Sequence, residues 1–466
     1  MSNLLTSSKS HSRSSSTDLK IIGASYSHAG SISKNAFSLA DSPRSSGKAS
    51  ISDSFVDRDD DWDANVDHDL VLDNTVQKSI EHLPDTYNSN VNDLYAVAPH
   101  TGLKQQVDGI IRDPANSLYA VHQPSRNSLI SSNERKTAAE IEEINSKLSR
   151  INRFKKILQS SNVDLNELRK LAWSGIPEEL RPMSWQLLLG YLPTNADRRV
   201  ATLARKRKEY LDGVTQVFSK SLDQVMWHQI SIDVPRTNPH IRLYGYETTQ
   251  RALERILYLW AIRHPASGYV QGINDLVTPF FQTFLSAYID GEPEKFDPGE
   301  LPKEVLDVVE ADSFWCLSKL LDGIQDNYIH AQPGIQRQVA ELRDLTQRID
   351  AKLYKHLQDE NIEFMQFSFR WMNCLLMREV SVKNTIRMWD TYMSEGSEGF
   401  SEFHIYVCAA FLVKWTAKIQ EMDFQEIMMF LQALPTKTWD EKDIELLLSE
   451  AFMWQSLFKN AAAHLR

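Results

Sequence analysis

The sequence predicts an all-α fold for the folded part of this chain, from about residue 165 to residue 460. Three observations lead to this prediction. Apolar residues recur at helical spacing, helix-capping residues precede several apolar runs, and the alternation and tight turns typical of strands are absent. Since 42% of the 466 residues are hydrophobic, the chain can bury a sizeable core.

The first predicted helices lead into this folded part. A segment rich in Ala, Glu and Lys predicts a helix over about 135–158, within a lead-in region at 135–164. Asp164 is a typical helix-initiating residue, and Gly175 is a typical stop. The apolar face of the helix between them consists of Leu168, Leu171 and Ala172.

Later helices are predicted from longer stripes and from capping boxes. A stripe ending before Pro265 consists of Leu253, Ile256, Leu257, Trp260 and Ala261. A similar stripe predicts one helix over 214–227 and consists of Val214, Val217, Phe218 and Val225. Capping boxes are predicted at 423–426 and 438–441. The apolar run 405–413 is too short to span a bilayer and predicts a buried helix.

The first part of the chain has a different composition. Residues 1–60 contain 19 serines, Trp62 is the only tryptophan before Trp173, and an acidic cluster lies at 57–63. Such a segment buries too little apolar surface to offset the entropy of ordering. The sequence therefore predicts a mostly disordered, Ser-rich and acidic regulatory region over 1–134, with a short binding motif at 94–97.

Several serines in this region follow basic residues, near Arg13, Arg44 and Arg126. This pattern suits basophilic kinases, and the phosphoserines would then bind a phosphoserine-reading adaptor. The alternative is that these serine motifs arise by chance, because a Ser-rich segment produces such matches by composition alone.

Charge and cysteine content narrow the function class. A net charge of -11 argues against nucleic acid as a partner and suits a protein that meets other proteins. The three cysteines imply no disulfide framework and no zinc site, and we expect each to be a small buried hydrophobe. Without a secretory signal or a transmembrane segment, the sequence predicts a soluble cytosolic chain.

The motifs of self-contained catalysis are missing from the sequence. There is no Gly-rich phosphate loop, no dinucleotide fingerprint, no zinc-protease motif and no nucleophile elbow. Two short segments remain as candidates. Arg236 follows Pro235, which disfavours helix at the preceding residue, so we expect Arg236 on an inter-helix loop. Gln271 lies between Pro265 and the apolar run 276–284, and a loop is expected there too.

These segments resemble a known family. Ile230-x-x-Asp233-x-x-Arg236 and Tyr269-x-Gln271-Gly272 resemble the two signature motifs of TBC-domain Rab GTPase-activating proteins. The family's wider pattern is matched, in order, at 173–177, 180–191, 312–316, 369–371 and 386–390. Within the family, the acidic insertion at 290–310 and the motifs that flank it resemble those of the member 22 branch.

The resemblance implies a fold and an activity. The fold would be a TBC domain of two helical subdomains, with 165–310 carrying both fingers and 311–460 completing the groove for the GTPase. Arg236 and Gln271 would be catalytic fingers supplied in trans to a Rab GTPase. The chain would act as a GTPase activator in vesicle trafficking rather than as a self-contained enzyme. It would need no cofactor, because GTP and Mg²⁺ are bound by the Rab, and it would be peripheral at Golgi membranes.

The resemblance also assigns supporting roles. Asp233 would hold the Arg236 loop by accepting hydrogen bonds from backbone or from a neighbouring arginine such as Arg181. Tyr269 and Gly272 would shape the glutamine loop, with Gly272 allowing close approach to the partner. The alternative is a helical scaffold that binds a Rab without accelerating hydrolysis, and a phosphorylation-controlled adaptor can coexist with either.

Overall fold

A computed structural model of the chain describes residues 102–104, 106–120 and 138–463. Within these ranges the secondary structure is helical, and the two β contacts are isolated bridges. The predicted all-α class is confirmed. The predicted binding motif at 94–97 and the serines near Arg13, Arg44 and Arg126 lie outside the described residues.

Twenty α-helices lie in the described residues, and eleven precede residue 290. These eleven are α1 Val107–Arg112, α2 Ser117–Ala120, α3 Ala138–Leu158, α4 Leu165–Ala172, α5 Arg181–Leu188, α6 Ala196–Phe218, α7 Gln224–Arg236, α8 Arg242–Gly245, α9 Glu247–Arg263, α10 Ile273–Leu276 and α11 Thr278–Ser286.

The remaining nine helices form the second half of the fold. They are α12 Lys303–Gly323, α13 Pro333–Ile349, α14 Ala351–Asp359, α15 Phe364–Asn373, α16 Val382–Ser394, α17 His404–Val413, α18 Thr416–Ile419, α19 Phe424–Gln432 and α20 Glu441–Ala463. Among the described helices, none combines the length and the apolar character needed to cross a bilayer.

Part of the region predicted to be disordered is helical. The helices α1 and α2 lie within 1–134, and their apolar residues Ile110 and Leu118 are buried. Arg207 on α6 donates a hydrogen bond to the carbonyl of Ile111. These two helices were not predicted because two short apolar segments give no helical periodicity, although together they pack against the domain.

The predicted helix ends around α4 and α19 are confirmed. The Asp164 side chain accepts hydrogen bonds from the amides of Asn166 and Glu167, at 2.8 and 3.2 Å. Asp423 and Glu426 form the reciprocal capping box at the start of α19. The stripe ahead of Pro265 lies on α9 and is buried.

Two other local predictions were wrong. The expected single helix over 214–227 is two helices, because the Asp223 side chain accepts from the amides of Val225 and Met226 and starts α7. Val225 is exposed rather than part of an apolar stripe. The capping residue of α20 is Asp440 and not Thr438, since Asp440 accepts from the amide of Lys442 at 2.8 Å.

The core forms around two central helices. The helix α12 packs against α6, α9 and α11, while α16 packs against α4, α5, α11 and α20. Trp185, Trp371 and Trp389 are fully buried, as predicted, and the Trp185 indole donates to Asp390 at 2.7 Å. All three cysteines are buried, as expected for small hydrophobes.

The boundary predicted between 165–310 and 311–460 falls inside α12, which runs without a break from Lys303 to Gly323. The helix α16, from the later region, packs against α4, α5 and α11 from the earlier one. The division into two helical subdomains therefore stays a prediction.

Candidate functional site

Arg236 is the last residue of α7, and the expectation of an inter-helix loop was wrong. The helix α7 packs against α9, and its residues Ile230 and Val234 are fully buried, so packing holds the helix through Pro235. Near a helix end, a proline removes a single main-chain hydrogen bond. The Thr237 amide then donates to the carbonyl of Val234 at 3.1 Å, which ends the helix. The Arg236 side chain is exposed.

Gln271 lies where the sequence predicted it, on the loop between α9 and α10. Its side chain is half-buried. Its main-chain carbonyl accepts a hydrogen bond of 2.9 Å from Asn373 at the end of α15. The loop is therefore held by a helix far along the chain.

Asp233 is bound by a tyrosine and not by Arg181. The Tyr269 hydroxyl donates to Asp233 Oδ2 at 2.8 Å, whereas the Arg181 guanidinium pairs with Asp390 at 3.1 Å. Arg181 was therefore assigned to the wrong carboxylate. The buried Asp390 also accepts from Trp185, so Arg181 compensates a charge in the core.

Burial controls the ionisation of this tyrosine–carboxylate pair. It raises the pKa of Asp233, an effect that the Tyr269 hydrogen bond and the positive charge of Arg236 oppose. Burial and the neighbouring Asp233 carboxylate raise the pKa of Tyr269 well above its usual range. Tyr269 therefore keeps its proton at neutral pH and remains a donor.

Asn274 joins the two motif segments and was not singled out from the sequence. Its Oδ1 accepts from the Gly272 amide at 2.9 Å and lies 3.2 Å from the Tyr269 hydroxyl, whose single proton is donated to Asp233. Its Nδ2 donates to Thr237 Oγ1 at 2.9 Å, one residue beyond Arg236. An asparagine two residues after a glycine, at a helix start, was the available signal.

Gly272 packs closely against another helix of this chain. Its φ is +105°, and a Cβ there would lie 2.5 Å from Asn373 Nδ2 and 3.1 Å from Cys374 Sγ. The glycine therefore permits close packing against α15 of this same chain, and the predicted close approach to a partner stays a prediction.

A second link connects the glutamine loop to the segment after α15. Arg378 pairs with Asp275 on α10 at 2.9 Å. Together, these bonds hold an exposed guanidinium and a half-buried amide on one framework of α7, α10 and α15. Such a pair can act on a phosphoryl group that another molecule carries.

Known proteins are similar to this chain in sequence and in fold. The Rab-GTPase-TBC domain family matches residues 178–420. The chain is 62% identical over 338 residues to the GTPase-activating protein gyp1 of Schizosaccharomyces pombe, covering 71% of this chain and 66% of that relative. It is 54% identical over 322 residues to TBC1 domain family member 22B of Homo sapiens, covering 68% and 64%.

A further relative is the GTPase-activating protein GYP1 of Saccharomyces cerevisiae, 46% identical over 429 residues, covering 76% of this chain and 67% of the relative. The chain thus spans about two thirds of the length of these relatives. The crystal structure of the Ypt/Rab-GAP domain of Gyp1p superposes with a TM-score of 0.65 at 57% identity, covering 67% of this chain and 99% of that one.

Proposed function

The chain belongs to the Rab-GTPase-TBC domain family, and we propose on this premise that it accelerates GTP hydrolysis by a Rab small GTPase. Arg236 and Gln271 are the two residues that it supplies to the partner's nucleotide. The relatives named as GTPase-activating proteins share its sequence at 46% and 62% identity.

One observation carries the assignment of these residues. Two hydrogen bonds connect the end of α7 with the glutamine loop, Tyr269 to Asp233 and Asn274 to Thr237. They hold the segment of Arg236 beside the segment of Gln271, although the two are distant in sequence. A pair of fingers acting on one nucleotide needs such a shared framework.

The chemistry of GTP hydrolysis explains the two residue types. Its transition state spreads charge over the phosphoryl oxygens and requires an aligned water, so catalysis consists of positioning and electrostatic stabilisation. Arg236 offers a planar, permanently charged fork to those oxygens. The amide of Gln271 has both a donor and an acceptor with which to orient water. GTP and Mg²⁺ are held by the Rab, and the chain needs no cofactor of its own.

The test is single-turnover GTP hydrolysis by a panel of Rab proteins, with the full chain and its variants. We expect Arg236→Ala and Arg236→Lys to lower the accelerated rate by about 10³-fold or more, and Gln271→Ala to lower it strongly. Arg343→Ala, at another exposed arginine, is the control and retains the rate. If no Rab is accelerated, or if the finger variants remain fully active, the chain is instead a Rab-binding scaffold.

Two further parts of the proposal rest on the sequence alone. The chain acts in vesicle trafficking at Golgi membranes, where imaging of the tagged full chain would locate it. Phosphorylated serines of 1–134 bind an adaptor, and co-precipitation with and without phosphatase treatment tests this.

A further inference from the structure

Asn373, the last residue of α15, lies where it can fix the backbone conformation of Gln271. Its side chain is 5% exposed, and its Nδ2 donates to the main-chain carbonyl of Gln271 at 2.9 Å. The two residues are 102 positions apart in the sequence. The contact therefore depends on how α15 packs against the loop between α9 and α10.

The Gln271 side chain makes no hydrogen bond within the described part of the chain, so its direction follows from the conformation of its own backbone. The carbonyl bonded to Asn373 belongs to that backbone. The next residue is Gly272, whose φ of +105° and missing Cβ let Asn373 Nδ2 approach closely. The missing Cβ of Gly272 and the side-chain amide of Asn373 thus both contribute to the same close contact.

Asn373 is itself held firmly. Its main-chain carbonyl accepts a hydrogen bond of 2.8 Å from the buried Tyr328 hydroxyl. The residues that follow, Leu375 and Leu376, are buried with φ of +50° and +60°, a conformation that leucine rarely adopts. Such strain persists where the surrounding packing determines the backbone, often at functional sites.

The orientation of the Asn373 side-chain amide also supports the importance of its contact with Gln271. Its Oδ1 is buried without a hydrogen-bond partner among the described residues, whereas Nδ2 is bonded to Gln271. Reversing the amide would bring Oδ1 against the carbonyl oxygen of Gln271, an acceptor facing an acceptor. The carbonyl of Gln271 therefore selects the orientation, at the expense of an unsatisfied acceptor.

We propose that Asn373 is a positioning residue for the glutamine finger. By holding the Gln271 carbonyl, it sets the direction in which the Gln271 amide reaches the partner's nucleotide. This inference rests on the proposed function, because it needs a reaction in which Gln271 takes part. A misplacement of about 1 Å can cost about 100-fold in rate, so a single bond to the finger's backbone has kinetic consequences.

The test compares Asn373→Asp and Asn373→Ala with the unsubstituted full chain, on the Rab that this chain accelerates most. Aspartate keeps the shape of asparagine but replaces the donor by an acceptor. The matched control is Asn384→Asp. Asn384 is 4% exposed, and its Nδ2 donates to the main-chain carbonyl of Trp439 at 2.9 Å, a bond between two residues that belong to neither finger segment.

We expect both Asn373 variants to lower kcat by about tenfold or more, with KM for the GTP-bound Rab changed less than about twofold. Asn384→Asp should affect thermal stability but not kcat. A second measurement is amide hydrogen exchange over residues 268–276, which should become faster in the Asn373 variants and stay unchanged in Asn384→Asp.

A double-mutant cycle separates positioning from a general structural effect. In the Gln271→Ala background, Asn373→Asp should lower the remaining activity less than about twofold, whereas in Arg236→Ala it should keep its full effect. Equal effects in both backgrounds, or unchanged kcat and exchange in the Asn373 variants, would overturn the inference. If the unsubstituted chain accelerates no Rab, the proposed function fails first, and unchanged exchange in Asn373→Ala would still refute the contact's role.

Discussion

The Tyr269 hydroxyl donates a hydrogen bond of 2.8 Å to Asp233 and thereby joins the glutamine loop to the helix that ends at Arg236. Both motifs thus contribute a residue whose task is to hold the other motif. The spacing within each motif follows from this. Asp233 precedes Arg236 by nearly one helical turn, and Tyr269 precedes Gln271 by two residues, so each bonding residue lies close to its finger.

Tyr269→Phe is expected to lower both stability and activity. Removing the hydroxyl leaves the half-buried Asp233 carboxylate without this donor, at a cost of about 1–3 kcal/mol in the free energy of unfolding. Tyr210→Phe is the control, because the Tyr210 hydroxyl donates to the buried Glu310 at 2.6 Å. Denaturant unfolding should show a loss in both variants, but only Tyr269→Phe should slow Rab GTP hydrolysis. Equal rates in the two would contradict the role given to Tyr269.

Gly272→Ala is expected to damage the glutamine loop. The new Cβ would lie 2.5 Å from Asn373 Nδ2, so the bond from Asn373 to Gln271 must shift. Gly190→Ala is the control. Gly190 also has a left-handed φ, of +69°, but its added Cβ meets no atom of the described chain within 4 Å. We expect backbone strain of about 1–2 kcal/mol in both and a loss of activity in Gly272→Ala alone. A fully active Gly272→Ala protein would show that the loop tolerates displacement.

Arg181→Ala is expected to act on stability and not on the finger chemistry. It removes the guanidinium that compensates the fully buried Asp390, at 3.1 Å, and should cost about 3–5 kcal/mol. The surface pair of Arg337 and Asp326 is the control, and Arg337→Ala should cost less than about 1 kcal/mol. Chemical unfolding measures both. If folded Arg181→Ala protein at low temperature had a kcat reduced like that of Arg236→Ala, Arg181 would have a direct role.

We expect acid to lower the stability of the protein, because His404 binds a proton more readily in the unfolded chain than in the folded one. Its Nδ1 faces the Tyr392 hydroxyl at 2.8 Å and its Nε2 faces the carbonyl of Trp371 at 3.0 Å, an arrangement that suits the neutral ring. Burial lowers the pKa of His404 to about 4, whereas the unfolded chain has an ordinary value near 6.5. Between these values the unfolded state binds more protons, so stability rises with pH through this window and is lost as pH falls through it.

From this residue alone we expect a loss of about 2 kcal/mol between pH 7.5 and pH 5. The measurement is denaturant unfolding at both pH values for the unsubstituted chain and for His404→Gln. The variant is less stable at pH 7.5 but should lose less on acidification, because its side chain does not titrate. An identical acid loss in both proteins would show that other groups cause it.

Much of the fold was predictable because its signals are local. The stripe on α9 and the capping box at Asp423 involve residues within a few turns of one another, and both predictions are confirmed. One prediction failed because a local rule met a stronger interaction. Pro235 was expected to break the helix, but the burial of Ile230 and Val234 outweighs one lost hydrogen bond.

The sequence by itself determined the helical class and the family, and it predicted the two finger residues, because periodicity and motif spacing are properties of neighbouring residues. Only the tertiary structure decided which residues hold those fingers. Asn373 reaches Gln271 from 102 positions away, and Arg181 pairs with Asp390 from 209 positions away. A side chain's polarity shows that it needs a partner when buried, but long-range packing selects the partner.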